Sequence, residues 1–264
     1  MKTSPIVRSK KFIDIIVLVL WIIASGFIVN AIQARILGST AIFFVIPTVY
    51  LFIRAPKNYR KIFTAALVFG LLWGFGFHYL ATLNEAWNVP RSQLVIPLVI
   101  FDVVEVDALL WYFFLVLFIV TFYEHFLDHD ITHKISKNLP IALIPTALAI
   151  LMGFVMAVID SQSLRFSYSY LVLGSAAIIP MIYLLIKKSQ LILKFVMLNL
   201  FFIFLFLVFE LTSLHLEQWS FHGQYIGKVE LFGLPFAFEE FVFWICLGAP
   251  TFVAYYELFI DDER

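Results

Sequence analysis

The sequence is poor in charge, in cysteine and in histidine. Only 14% of its 264 residues are charged, against roughly 25% in an ordinary soluble domain. Lysine plus arginine and aspartate plus glutamate balance at 18 each, so the chain has no electrostatic footprint for nucleic acid, and none is expected as a partner. The single cysteine, Cys246, excludes an intramolecular disulfide and any multi-cysteine metal site. No G-x-G-x-x-G stretch occurs, so no dinucleotide fold is expected, and no cofactor is implied. The basic start at Arg8, Lys10 and Lys11 precedes an apolar run that lacks a small-residue cleavage pattern. It is therefore expected to be a retained helix and not a signal peptide.

What fills the chain is apolar sequence, 62% of it, in runs long enough for a bilayer crossing of about 20 residues. Eight runs are read, at approximately 12–32, 36–53, 61–82, 94–123, 139–159, 166–186, 191–213 and 231–258. The second is short; the fourth and eighth are long enough to tilt or to project. The fold expected is all-α and integral to the membrane. If both termini are cytoplasmic, the outer side holds only Arg35, Arg91, Arg165 and Lys228 of the 18 basic residues. That asymmetry predicts a multi-pass protein of the cell membrane with both termini inside.

The chain repeats itself at an offset of 132–133 residues. "IPTVYLFIR" (46–54) matches "IPMIYLLIK" (179–187), Lys61 falls on Lys194, and "NEAW" (84–87) matches "LEQW" (216–219). "LLWYFFLVLFIVTFYEHFLD" (109–128) matches "VFWICLGAPTFVAYYELFID" (242–261), with Trp111 on Trp244 and Glu124 on Glu257. The units expected are 1–137 and 138–264, two parallel four-helix repeats. An even number of helices inserts both copies in the same orientation, with a shared site between the halves.

Acids stand inside these apolar runs. Glu239 and Glu240 are adjacent; the alignment places Asp107 on Glu240 and Val106 on Glu239, with Asp102 and Glu105 nearby. A carboxylate near mid-membrane costs about 2.5–3.5 kcal/mol, so such groups face a bundle interior or a cavity. Two close carboxyls in low dielectric share a proton, which makes the pair a proton donor with its neighbour able to take one back. The alternative is acids near the outer interface, hydrated or paired with Lys228 or Arg91. Aromatic residues make up 18% of the chain, 31 of them Phe. They either clothe lipid-facing helices or form a wall that stabilises a carbocation through cation–π attraction. In "EHFLDHDITHK" (124–134), His125, His129 and His133 share a helical face if the helix continues. The second copy lacks them, so a solvated helix end is the reading and no metal site is expected. Gly70, Gly74 and Gly76 are expected to permit close helix packing.

The stretch "WSFHGQYIGKVELFGLPFAFEEFVFW" (219–244) resembles the tryptophan, proline and paired-glutamate signature of the integral-membrane lycopene cyclase domain. That family is built from two related halves of a few helices each. Three residues, Phe236 to Phe238, separate Pro235 from the acid pair, where the family has one, and the first half lacks the proline and the glutamate pair. The resemblance implies an isomerase of carotenoid biosynthesis that cyclises polyene end groups without net redox change. It makes Glu239 and Glu240 the catalytic acids, with Asp107 and Glu105 their first-half counterparts. Trp219, Phe221, Phe238, Trp244, Trp87 and Trp111 are the candidates to line the substrate. The partners implied are a lipophilic polyene and the lipid bilayer, with carotenoid-pathway enzymes or further copies of the chain beside them. A small proton-coupled secondary transporter, with intramembrane acids between parallel repeats, is the alternative. A non-catalytic assembly protein is a third.

Overall fold

A computed structural model describes residues 5–54, 58–128 and 134–261. Among the described residues seven helices are long and apolar enough to cross a membrane: α1 (Pro5–Ala31), α2 (Ile36–Arg54), α3 (Tyr59–Leu83), α4 (Val106–Phe126), α5 (Leu139–Asp160), α6 (Ser169–Lys187) and α7 (Leu191–His215). An eighth apolar segment, α8, is bent, with Glu240–Cys246 meeting Gly248–Phe259 at 55°, the form of a broken span or a re-entrant loop. The protein is an all-α membrane bundle with two small hairpins, β1 (Val99–Ile100) with β2 (Val104–Glu105) and β3 (Lys228–Leu231) with β4 (Leu234–Ala237).

The fourth and eighth apolar runs are each shorter as helices than they read in sequence. Their leading parts fold into these hairpins. At the tight β3–β4 turn, Phe232 (φ 53°) and Gly233 (φ 79°) both take the left-handed conformation, as a two-residue hairpin turn requires. Hydropathy cannot see this, because an apolar hairpin and an apolar helix have the same composition.

The repeat is written into the contacts. Tyr123 donates to Glu257 and its counterpart Tyr256 donates to Glu124. Lys61 pairs with Asp261, and Lys194 stands 3.8 Å from Asp128. The two loops that follow α3 and α7 join through backbone bonds between Asn88 and Ser220, of 2.9 and 3.0 Å. Glu85 and Glu217, counterparts in these loops, share a positive φ of 59° and 53°. Reciprocal pairs of this kind are what a two-fold axis between the halves produces.

Wide π-turns account for the drift of the offset between 132 and 133. The turn at Ala66–Leu72 in α3 adds a residue to the first half, and the turn at Glu240–Cys246 adds one to the second. Each lets the chain take up an extra residue without leaving the helix. Gly70 and Gly74 allow α4 to close on α3: a Cβ on Gly70 would stand 2.8 Å from the Phe113 backbone, and one on Gly74 3.0 Å from Tyr112. Gly76 has ordinary room, 3.7 Å from Ile150 of α5.

The halves differ in how the space beside their first helix is filled. Beside α1, the space between α2, α4 and α7 is filled by Phe43, Phe44 and Phe118, all buried. Beside α5, the equivalent positions are Ala176, Ala177 and Thr251, and there the bundle is hollow. The outer wall of this hollow is α5, of whose most apolar window only 6% is buried, against 67% for α4.

Candidate functional site

The hollow is a cavity of about 830 Å³ bounded by α3, α4, α5, α6 and α8, in the upper range for small-molecule sites. Its lining is mostly apolar and aromatic. Trp87, Trp111, Trp219, Phe221 and Trp244 all face it; Phe238 does not, being 40% exposed elsewhere. Trp111 and Trp244, counterparts in the repeat, meet at 4.9 Å between ring centroids near the centre. Trp244 is held by stacking on Phe206 at 4.2 Å.

Glu240 lines the cavity at the first residue of the π-turn. Its carboxyl accepts the hydroxyl hydrogen of Tyr170, the second residue of α6, and adjoins the carboxyl of Glu210 from α7. Glu210 is fully buried and accepts the indole hydrogen of Trp219 on Oε1 at 2.9 Å. Its Oε2 has no donor among the described residues. A proton shared between the two carboxyls would supply that donor, since ionised carboxylates only accept.

The acid pair of this site is thus Glu240 with Glu210, and not Glu240 with its neighbour Glu239. Glu239, fully buried outside the cavity, accepts the backbone N–H of Ile226 at 2.7 Å and ties the preceding loop to α8. Asp107 has the same task in the first half, accepting Val95 N–H at 2.6 Å and Ile96 N–H at 3.1 Å. By its bonds Asp107 is the counterpart of Glu239, one place off the alignment drawn on sequence, because the π-turn that begins at Glu240 adds its residue after that point. Ala108 then stands opposite Glu240.

Sequence reasoning passed over Glu210. The available signal was a lone acid in the apolar helix "LILKFVMLNLFFIFLFLVFELTSLH". It also passed over His78, which faces the cavity from α3 and contacts Glu105 through Nε2 at 2.5 Å. Glu105 therefore reaches the site through an imidazole. Tyr225 braces the loops above, its hydroxyl donating to the Ala86 carbonyl at 2.8 Å and accepting Gly223 N–H at 2.8 Å, and burial pushes it up to about 12.

A second set of buried polar residues lies at the other end of the bundle. Asp14 gathers Tyr50 and Arg54 at 2.7 Å each and His125 at 3.0 Å. Helix α4 ends at Phe126, and His129 and His133 lie outside the described residues. Among the described residues no group of three or more histidine, cysteine or carboxylate side chains is placed to hold a metal. No family of known proteins, no curated protein and no solved structure matches this chain.

Proposed function

We propose that the protein is a lycopene-type polyene cyclase, a membrane isomerase that closes end groups by acid catalysis. The observation that carries this reading is the Glu240–Glu210 carboxyl pair, set in an apolar, aromatic cavity whose outer wall is a lipid-facing helix. A carboxyl pair in such a place holds a proton at neutral pH and can transfer it to an alkene. The tertiary cation that results lies against Trp and Tyr rings, whose faces attract cations by about 2 kcal/mol or more when water is excluded. Tyr170, donating to Glu240, stabilises the carboxylate left behind. The loose packing of α5 suits a long apolar substrate that enters from the bilayer.

Expression in a lycopene-accumulating bacterium tests this directly: the wild type should yield cyclised pigment, and Glu240→Gln should leave lycopene unchanged. No cyclised pigment from the wild type sinks the reading. One observation favours the transporter instead. The 55° break before Gly248 is the interrupted helix that an ion-coupled site uses, although the sequence offered only Pro47 and Pro180 as such points. Proton uptake into vesicles driven by a solute gradient would support that alternative. The basic-residue asymmetry supports a cell-membrane protein with cytoplasmic termini, and on that reading the site lies in the outer half. Reporter fusions after Lys137 and Lys188 should therefore read cytoplasm, and one after Gly223 the outside; a cytoplasmic signal at Gly223 reverses the placement.

A further inference from the structure

Resting on the cyclase reading, we propose that His78 is the base that completes the reaction, with Glu105 as its positioning residue. The cavity then holds a proton donor and a separate proton acceptor, one from each half of the chain.

The repeat sets up this pairing. His78 is the counterpart of Glu210, at an offset of 132, and Trp87 is the counterpart of Trp219. Each half directs its indole N–H onto its own titratable residue: Trp219 to Glu210 at 2.9 Å, and Trp87 to Nδ1 of His78 at 3.2 Å. The halves differ at this position and at its partners, Glu240 standing opposite Ala108 and Glu105 opposite Ala237, which gives an acid pair on one side and an imidazole–carboxylate pair on the other.

The hydrogen bonds fix the imidazole's protonation. An indole nitrogen only donates, so Nδ1 carries a lone pair and Nε2 the hydrogen, which it gives to Glu105 Oε2 at 2.5 Å. This is the arrangement of a general base oriented by a carboxylate, which neutralises the imidazolium once formed. The indole contact to Nδ1, 3.2 Å, is at the long end for such a bond, and Nδ1 acts as the base when substrate takes the place of the indole. His78 is 1% exposed and Glu105 8%, so bulk water competes little for the lone pair.

Donor and acceptor are spaced by aromatic rings. Trp87 lies 5.3 Å from Tyr170, the residue bonded to Glu240, and Tyr112 lies 6.0 Å from the imidazole. A cation generated at Glu240 faces these rings on its way to His78. The hydroxyl of Tyr170 donates to the Glu240 carboxylate left after proton transfer, which lowers its basicity.

The step balances. The Glu240 O–H bond breaks and its proton forms a C–H bond at the terminal alkene; the tertiary cation closes onto the next double bond. A C–H bond beside the ring cation then breaks, its electron pair becoming the ring double bond and its proton passing to Nδ1. Once the product has left, water that enters the cavity returns that proton from His78 to the carboxyl pair, with no oxidant or reductant.

The test is turnover of lycopene by the full-length protein in deuterated water, comparing wild type, His78→Gln and Glu105→Gln. Glutamine at 78 keeps an acceptor for Trp87 and a donor for Glu105. His78→Gln should lower cyclised product by about 10²–10⁴-fold while recovered lycopene gains deuterium at the terminal alkene, because protonation continues and reverses. Glu105→Gln should lower cyclisation less, with the same deuteration. Wild-type cyclisation by both variants overturns the base role. So does loss of both cyclisation and deuteration in folded Glu105→Gln and His78→Gln protein, which marks the pair as purely structural. An inert wild type is the separate outcome that removes the cyclase reading, and this inference with it.

Discussion

Glu239 and Glu240 are chemically identical neighbours with opposite surroundings. One carboxyl accepts a backbone amide through Oε1, away from the cavity; the other faces an apolar cavity beside a second carboxyl. Glu239→Gln keeps an acceptor oxygen for Ile226, so it should leave turnover within a few-fold of wild type. Glu210→Gln can no longer share a proton with Glu240 and should reduce turnover by about 10²-fold or more. Cyclised product per folded protein in the two single mutants separates these cases, and a Glu239→Gln loss as large as that of Glu210→Gln would restore the adjacent pair. The adjacent pair was the visible signal in sequence. Its division of labour was not, because Glu210 is 30 residues away and only folding brings it to Glu240.

At the scale of the element, the cavity follows from three exchanges of phenylalanine for small residues between equivalent helices: Phe43 for Ala176, Phe44 for Ala177 and Phe118 for Thr251. The filled half shows what the hollow half becomes when the bulk is restored. Ala177→Phe should therefore block polyene conversion while thermal stability in detergent stays level or rises. Overpacking into a filled core costs typically 1–3 kcal/mol, and this site is not filled. Turnover unchanged in Ala177→Phe would show that the substrate lies elsewhere. The exchange is readable once "AIFFVIP" (41–47) is set against "GSAAIIP" (174–180). That Ala176 and Ala177 face an open space and not a neighbouring helix requires the position of α5, which carries little packing information of its own.

The whole molecule is held as one body by bonds that cross between its halves. In a membrane the association of helices rests on packing and polar contacts more than on the hydrophobic effect, and here the polar contacts are reciprocal. Lys61→Met removes the cation beside the buried Asp261; breaking a buried pair in this way typically costs about 3–5 kcal/mol. Lys194→Met acts on the more exposed partner, 33% accessible, and should cost less. Thermal denaturation in detergent checks the order, and equal losses would mean the two ends of the axis are equivalent. Chains 1–137 and 138–264 expressed separately should copurify, since each contributes one member to every crossing pair; failure of either to bind the other would assign the axis to intrachain constraint alone.

Apolar runs and matched Pro, Trp and Lys positions are local or periodic properties, and they were sufficient to specify an all-α membrane bundle of seven or eight long apolar helices with an internal repeat. Which acid meets which, and where the bundle is hollow, depended on one-residue events that composition does not register. The π-turn at Glu240–Cys246 shifts the alignment by a single residue, so that Asp107 corresponds to Glu239 and Ala108 to Glu240. A helix advances by 100° per residue, given 3.6 residues per turn, so an alignment one place out assigns a side chain to the wrong face. The tertiary structure alone decided that Glu240 belongs with Glu210 and Glu105 with His78.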